Sequence, residues 1–467
     1  MPSFVVTPLI IATALFMENL DGTVLATALP AMAADLHEDP VALKLALTSY
    51  LLSLAVFIPL SGWAADHFGA RRVFRAAIFT FTLGSILCGF STTLTTVVLS
   101  RVVQGLGGAM MVPVGRLVLL RTAPRHELVR AMAWLTIPAL IGPLIGPPFG
   151  GFIATYFHWR YIFWINVPIG LLGVILVTRF IPNLREDNVP PLDVRGAVLS
   201  GLGLSCLVFG FTIAGRGFAP TPVVVAVIAT GAVALAAYIR HAREAPYPII
   251  DLRLLRIPTF RAAVFGGFLF RVGLGAVPFL LPLLLQAGFK LTPYQSGLLT
   301  FVAAAGAMAM KTTAQPILRR FGFRHVLAAN ALVSSAFLCV NALFSATTPH
   351  WLIMSVLLVG GFFRSLEFTA LNAIGYADID KEEMSRATSF TAVGQQLALS
   401  TGVAIGAAAL EASRALRGGG ELRADDFAPA FYVVAAISVA SVALFWKLAP
   451  NAGDDLTGRR TTLSQEV

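Results

Sequence analysis

The chain has 467 residues, of which 57% are hydrophobic and only 12% are charged, and its mean hydropathy is +0.79. An average soluble protein is roughly a quarter charged, and a soluble domain of this length could not bury so much apolar surface. Composition therefore excludes a soluble enzyme, a disordered regulator and a nucleic-acid-binding protein. The net charge of +10 needs another explanation.

Fourteen apolar runs approach or exceed the roughly 20 residues that a membrane-spanning helix needs. In chain order, they lie near residues 8–34, 45–65, 73–93, 96–120, 129–155, 162–181, 197–214, 222–240, 260–286, 293–311, 325–345, 349–375, 387–411 and 429–449. The N-terminus lacks a basic region and a small-residue cleavage site, so we expect the first run to remain as a helix. The three cysteines and seven histidines form no metal-ligand spacing.

Basic residues alternate between the loops of this arrangement. Of the 34 lysines and arginines, 23 fall in segments on the side of the termini, seven in the opposite loops and four within spans. Because cytoplasmic loops carry an excess of Lys and Arg, this distribution predicts cytoplasmic termini. It also accounts for the net positive charge without nucleic acid.

Three matches at one offset indicate an internal repeat. Gly69 and Gly322, Gly107 and Gly360, and Glu18 and Arg271 are each 253 residues apart. The repeat predicts an all-α membrane protein of two parallel six-helix bundles, the architecture of major facilitator transporters. We assign residues 1–190 to the first bundle, 191–255 to an inserted helix pair with its flanking loops, 256–450 to the second bundle and 451–467 to a flexible cytoplasmic tail.

The loop after the second span resembles the loop signature of the major facilitator superfamily. The segment GWAADHFGARR begins at residue 62, and its matching positions are Gly62, Asp66, Gly69, Arg71 and Arg72. A small glycine allows helices to approach closely, and an acidic residue at a helix end can pair with basic groups. The resemblance implies a cytoplasmic latch, for which Arg116 is a further candidate partner of Asp66.

Three other motifs are similar to those of the fourteen-helix drug:proton antiporter family, the EmrB/QacA-like members of this superfamily. LDGTVLATALP at 20–30 is similar to the first-span motif, and LSRVVQGLGGA at 99–109 to the fourth-span motif that implies a part for Arg101 in proton coupling. GPLIGPPFGG at 142–151 fits the fifth-span signature GxxxGPxxGG, with Gly142, Gly146, Pro147, Gly150 and Gly151 as a candidate gating set. Within that family, the chain resembles the MdtD-type multidrug exporters.

Five charged residues fall near the middle of predicted spans. They are Glu18, Asp21, Arg271, Arg364 and Glu367. A charge at the bilayer centre costs roughly 2.5–3.5 kcal/mol, so these groups should face the protein interior and largely pair. We predict that Asp21 lacks a full partner and carries the proton, that Glu18 pairs with Arg271, and that Glu367 pairs with Arg364 or faces the substrate.

Alternative interpretations of this cluster remain open. It could be a purely structural ion-pair network, or Arg271 and Arg364 could bind an anionic substrate. Polar candidates for lining the substrate cavity are Asn19, Gln104, Gln286, Asn372, Gln395 and Gln396.

The motifs predict a membrane transporter rather than an enzyme. No GxxxxGK[ST] motif is present, so the predicted energy source is the proton gradient and no cofactor or metal is expected. We expect a monomeric proton antiporter of the bacterial inner membrane that exports lipophilic drugs, contacts lipid and binds no nucleic acid. The alternatives are a dedicated exporter of a metabolite, organic anion or metal chelate, and a non-transporting membrane sensor or lipid-handling protein.

Overall fold

The computed structural model describes residues 3–122, 128–186, 189, 191–213, 220–311, 313–380 and 383–457. All regular secondary structure within these ranges is helical. This is expected for a lipid environment, where a helix satisfies its own backbone hydrogen bonds without water.

The chain divides into two compact units. Unit 1 comprises Met1–Ile250 with Thr292–Leu298, and unit 2 comprises Asp251–Leu291 with Leu299–Val467. The helices of unit 1 are α1 (Ser3–Asp35), α2 (Lys44–Phe57), α3 (Leu60–Phe68), α4 (Ala70–Phe90), α5 (Leu94–Thr122), α6 (Leu128–Tyr156), α7 (Tyr161–Trp164), α8 (Asn166–Phe180), α9 (Val194–Ile213) and α10 (Thr221–Glu244).

Unit 2 is built in the same way and begins with a long helix. Its helices are α11 (Pro258–Leu283), α12 (Pro293–Lys311, whose first turns belong to unit 1), α13 (Ala314–Phe321), α14 (Phe323–Asn341), α15 (His350–Ile374), α16 (Met384–Leu416), α17 (Phe427–Phe445) and α18 (Asp454–Thr457). A single π-helical turn, Leu284–Gly288, extends α11.

Within the described residues, eleven helices are long and apolar enough to cross a membrane, and two bent helix pairs would raise the number to 13. The predicted span at 129–155 coincides with α6, for which only the side chains of its second half are described. The total of fourteen spans therefore stays a prediction, as does the division into two bundles, an insertion and a tail.

One predicted span, 45–65, is bent rather than straight, and another, 293–311, is followed by a bend. The α2–α3 pair bends by 56°, and the α12–α13 pair bends by 60°. Pro59 precedes α3 and cannot donate a backbone hydrogen bond, which explains the first break. Residues 451–457, at the beginning of the predicted tail, form a turn and the short α18, and Gly453 packs against Phe323.

Matching helix contacts reproduce the internal repeat in both units. A Cβ added at Gly107 would meet Phe81 of α4, and one added at Gly360 would meet Phe337 of α14. The next glycine in each unit is also in contact with another helix: Gly108 faces Tyr50, and Gly361 faces Ala303. Tyr50 and Ala303 are themselves 253 residues apart. Both units therefore use the same small positions to bring helices together.

The inserted α9 and α10 pack against each other through glycine, with Gly231 against Leu207. Their outer faces expose large apolar side chains, as expected for helices that contact lipid. At the base of the pair, Asp193 accepts a hydrogen bond from the backbone N–H of Gly196 at 2.8 Å, and its Oδ1 lies 2.7 Å from His241 Nε2. Asp193 therefore joins the beginning of α9 to the end of α10.

Candidate functional site

Close packing of α6 on α1 positions the polar residues of unit 1. A Cβ added at Gly142 would lie 3.0 Å from the backbone N of Leu20, and one at Gly150 would lie 2.6 Å from the carbonyl of Val24. Gly146 lies between them and faces Thr23 of the same helix. The signature glycines therefore form one stripe, spaced by four residues, that holds the α6 backbone against the polar segment of α1.

Asp21 accepts three hydrogen bonds from two other helices, α5 and α8. Arg101 Nη1 donates to Oδ2 at 2.6 Å, Gln104 Nε2 donates to Oδ1 at 2.8 Å, and Asn166 Nδ2 donates to Oδ1 at 3.0 Å. The side chain of Asp21 is 2% exposed and that of Arg101 is 0% exposed. This is a buried ion pair with two supporting amides, which we call the Asp21 network.

The Arg101 guanidinium is bound on several sides. Its Nε donates to the carbonyl of Ala46 at 3.1 Å and its Nη1 also donates to Gln104 Oε1 at 2.7 Å. Its Cζ lies 4.2 Å from the centre of the Tyr50 ring, a favourable cation–π distance. Only Nη2 lacks a hydrogen bond among the described residues. The predicted interior position of Arg101 therefore agrees with its surroundings.

The prediction that Asp21 lacks a full charge partner is wrong. Asp21 has a full charge partner in Arg101, whereas Glu18 Oε2 is buried and has no hydrogen-bond partner among the described residues. The charges that act on Glu18 are those of Asp21 and Arg116. The predicted Glu18–Arg271 pair would join the two units and stays a prediction. Asn19 donates to the carbonyl of Leu15 in its own helix, at 2.9 Å.

The predicted latch loop is held within unit 1, but by a different arginine from the one expected. Asp66 Oδ1 lies 2.9 Å from Arg121 Nη2, which also lies 3.0 Å from Glu186 Oε1. The suggested Arg116–Asp66 pair is therefore replaced by Arg121–Asp66. Arg121 lies five residues after Arg116 in α5, about 1.4 helical turns further along, and this places it beside the loop.

The glycines and arginines of the latch differ in what they contact. Gly69 has φ of +94°, a left-handed conformation that favours glycine, and it packs against Asn183. Gly62 has no atom within 4 Å of an added Cβ, so the close helix approach predicted there is wrong. Arg71 and Arg72 form no ion pair with any residue that the structure describes.

In unit 2, one face of α15 carries a cation, an aromatic ring and an amide. Arg364, Phe368 and Asn372 are each four residues apart and share this face. Arg271 of α11 packs on it, with Nη2 donating to Asn372 Oδ1 at 3.2 Å and Cζ lying 5.4 Å from the Phe368 ring centre. We call Arg271, Arg364, Phe368 and Asn372 the α15 cationic face.

The predicted pair between Arg364 and Glu367 is wrong. Arg364 is half-buried and forms no hydrogen bond or ion pair with any described residue. Glu367 is fully buried and accepts a hydrogen bond from Asn330 Nδ2 of α14 at 2.9 Å. Residues three apart can meet on a helix, but here Glu367 turns to Asn330 of α14 and does not pair with Arg364.

The remaining predicted cavity residues belong to unit 2. Gln286 is buried in the π-helical turn, and Gln395 and Gln396 are half-buried on α16, where Gln396 Oε1 lacks a hydrogen bond among the described residues. At the end of α12, Lys311 donates to Thr369 of α15 at 2.9 Å. Their predicted role in lining a substrate cavity stays a prediction.

Four polar residues of these sites were missed by the sequence analysis. They are Tyr50, Ser85, Asn166 and Asn330. Asn166 also donates to Ser85 Oγ at 2.9 Å, so it links α4 to the Asp21 network. Asn166 and Asn330 could have been found from the sequence, because each is an amide inside a long apolar run and a buried amide needs hydrogen-bond partners.

Two units of apolar helices, each with charged side chains buried inside it, define a multi-pass membrane transporter. Among the described residues, no group of three or more His, Cys, Asp or Glu could hold a metal ion. A family model of the Major Facilitator Superfamily matches residues 11–403 and again 263–462, so the chain belongs to the Major Facilitator Superfamily. Its members transport small molecules, are not enzymes and need no cofactor.

Curated relatives and solved structures agree with this family. The chain is 38% identical over 397 residues to "Putative multidrug resistance protein MdtD" of Pectobacterium atrosepticum, covering 85% of each chain. It is 38% identical over 400 residues to the protein of the same name in Escherichia coli, covering 85% of this chain and 84% of that one. The recognition made from the motifs is confirmed.

Two solved structures share the fold at low sequence identity. A D-xylose–proton symporter has a TM-score of 0.67 at 15% identity, covering 96% of this chain and 98% of its own. The human organic anion transporter MFSD10 has a TM-score of 0.60 at 13% identity, covering 95% and 100%. These likenesses show the major facilitator fold and no more.

Proposed function

We propose that this protein is a proton-coupled antiporter that exports small lipophilic molecules across the bacterial inner membrane. The observation that carries the proposal is the Asp21 network, a carboxylate held by a buried arginine and two amides. The antiporter signature of α6 and the names of the multidrug resistance relatives support export rather than uptake.

The proton chemistry follows from the charges of this network. When Asp21 binds a proton, a carboxyl O–H bond forms and the attraction to Arg101 is lost, which leaves a buried cation without its partner. Such a state is costly, so it favours any rearrangement that offers Arg101 another acceptor. Glu18, three residues earlier on the same face of α1, is the nearest further carboxyl in sequence. We assign the pair as the proton site, with Asp21 as the main carrier.

Packing supports a link between this site and α6. The glycine stripe contacts the same turns of α1 that carry Asn19 and Thr23, so movement of α1 must be accommodated by α6. Interfaces of small residues allow helices to slide without unpacking large side chains. We infer that protonation and alternating access are coupled through this contact, with both termini cytoplasmic and the protein acting as a monomer.

Flux in proteoliposomes with an imposed pH gradient and an internal pH dye tests the proposal. Addition of a lipophilic cation should trigger proton movement in the wild type, and Asp21→Asn should reduce it at least 100-fold. Glu18→Gln should reduce it less, because Glu18 forms no ion pair with a residue that the structure describes. Glu421→Gln, a change in an exposed outer loop, is the matched control and should transport normally.

Folding must be separated from coupling in this test. Asp21→Asn leaves Arg101 buried beside a neutral group, so the Asp21→Asn/Arg101→Gln double variant is measured in parallel. Substrate binding retained without proton movement in a stable variant supports the proposal. Undiminished gradient-driven flux in stable Asp21→Asn would remove Asp21 from the mechanism.

A second candidate function is export of an organic anion, and the unpaired Arg364 favours it. The α15 cationic face carries two guanidinium groups, and neither forms an ion pair with a described residue. A planar guanidinium suits a carboxylate or phosphate, and the neighbouring Phe368 suits an aromatic or apolar substrate body. This arrangement fits an amphipathic monoanion.

Competition between substrate classes separates the two candidates. Under the organic-anion assignment, an aromatic carboxylate drives proton movement and Arg364→Gln reduces that flux about tenfold, with little effect on a lipophilic cation. Arg319→Gln, an exposed change on α13, is the control. Flux with cations alone, unchanged in Arg364→Gln, would reject the anion exporter.

A further inference from the structure

A groove of about 500 Å³ lies on the surface of unit 2, between the beginning of α11 and the end of α17. The α11 residues that line it recur every three or four positions, as the residues on one face of a helix do. Most of the lining is apolar, and charged atoms occur only at one end. The main contributors are Arg261, Phe265 and Leu269 from α11, Leu444 from α17, and Lys447 and Leu448 from the turn after α17.

The charged end of the groove carries two cations and no carboxylate. Arg261 and Lys447 are exposed, and neither side chain forms a hydrogen bond or ion pair with any described residue. Both are near the helix ends on the side of the chain terminus, which the distribution of Lys and Arg predicts to be cytoplasmic. The groove therefore offers positive charge at the level of the membrane surface and apolar walls below it.

Trp446 supports this placement at the membrane surface. It adjoins Lys447, is 54% exposed, and lies under the Arg324 guanidinium, whose Cζ is 4.9 Å from the ring centre. Tryptophan is enriched at the boundary between lipid and water, because one edge of its ring is polar and the rest is apolar. Arg324 adds a third positive charge near the same helix end.

We propose that this groove binds an anionic phospholipid, with the phosphodiester held by Arg261 and Lys447 and an acyl chain along Phe265 and Leu444. Basic pockets between spans on the cytoplasmic side bind acidic headgroups in this way. A free phosphate would use the cations but not the apolar walls. A zwitterionic lipid would bring its own positive charge next to two unpaired cations, so it should bind more weakly.

Titration of the purified full chain in detergent, followed by native mass spectrometry, tests the site. Phosphatidylglycerol is the probe, and phosphatidylcholine and inorganic phosphate are measured alongside it. The Arg261→Gln/Lys447→Gln variant should bind phosphatidylglycerol roughly 30-fold more weakly, because each basic residue at an anionic surface contributes on the order of a factor of five. Arg240→Gln/Arg243→Gln on α10 is the matched control and should bind normally.

The apolar half of the site has a separate test. Phe265→Ser, at a side chain already 48% exposed, should weaken binding of long-chain phosphatidylglycerol several-fold but leave a six-carbon-chain analogue unaffected. Equal affinity of the wild type for phosphatidylcholine, displacement of the lipid by millimolar phosphate, or normal binding by the doubly neutralised variant would each overturn the proposal.

Discussion

The two units share their helix packing but not their buried chemistry. Gly107 and Gly360 occupy corresponding contacts, yet the positions that correspond to Asp21 and Arg101 in unit 2 are Leu274 and Met354. Unit 1 thus holds a carboxylate and a guanidinium that neutralise each other. In unit 2, Arg271 and Arg364 form no ion pair with a described residue, and the buried carboxylate of Glu367 is held by Asn330. Duplication preserved the small residues that packing requires, and the polar residues diverged into two different sites.

This contrast has a consequence for stability. A buried ion pair makes each partner depend on the other, while a half-buried arginine without a partner contributes little to the folded state. The same kind of substitution should therefore have a large effect on stability in unit 1 and a small one in unit 2. The predictions below are ordered from the largest expected change to the smallest.

Arg101→Gln should destabilise the protein by about 3–5 kcal/mol, because Asp21 would remain buried without its counter-charge. Unfolding of purified protein in detergent, followed by tryptophan fluorescence, measures the loss. Adding Asp21→Asn should recover part of it. If the loss of unfolding free energy in the double variant equals the sum of the losses in the two single variants, the two side chains do not interact as the structure indicates.

Gly150→Leu should cost about 1–3 kcal/mol and reduce transport, since the added side chain would meet the backbone of α1 at Val24. Gly394→Leu is the matched control, because a Cβ there meets no atom within 4 Å. Thermal unfolding and flux are measured for both variants. Equal effects would show that the glycine stripe of α6 has no special role in packing.

Acid should weaken the ion pairs at the beginning of unit 2, where the Asp251 side chain is 1% exposed. Burial by itself acts to raise the pKa of Asp251, but hydrogen bonds from Arg253 and the charges of Arg253 and Arg386 outweigh it and lower the pKa from its ordinary value of 3.8. The folded state thus favours the ionised form, and this stabilisation is complete above about pH 5 and lost as the pH falls below 3.8.

The Asp251→Asn variant checks this pH dependence. It should be less stable than the wild type at pH 7 by on the order of 1–2 kcal/mol, and the difference should shrink as the pH approaches 3. Thermal stability across pH 3–7 provides the measurement. A difference that stays constant with pH would contradict a role for the charge of Asp251.

Arg364→Gln should change stability by less than about 0.5 kcal/mol, because no described residue pairs with Arg364. The expected effect is on substrate charge preference alone. A loss of several kcal/mol would show that Arg364 has a structural partner and would end the contrast between the units. Chemical unfolding of this variant next to Arg101→Gln makes the comparison direct.

Local sequence patterns were sufficient to predict the helices and the internal repeat. Long apolar runs must be helical in lipid, and glycines at a fixed offset must serve the same contact in both halves, so these features could be read without a structure. The interior location of Arg101 followed from its cost in lipid. The bend at residues 57–60 and the short α13 after the span at 293–311 were missed, because an apolar run does not show where a helix changes direction.

The sequence by itself determined the membrane class, the family and which residues are charged inside the spans, since each of these depends on composition or on local spacing. Only the tertiary structure decided the partners. The sequence allowed Asp21 to lack a partner, but the positions of α5 and α8 bring Arg101 and Asn166 within hydrogen-bond distance of it. It also allowed Glu367 to pair with Arg364, but the position of α14 brings Asn330 to Glu367 instead. Charge pairing depends on ångström-scale distances between helices far apart in sequence, and no local pattern encodes those distances.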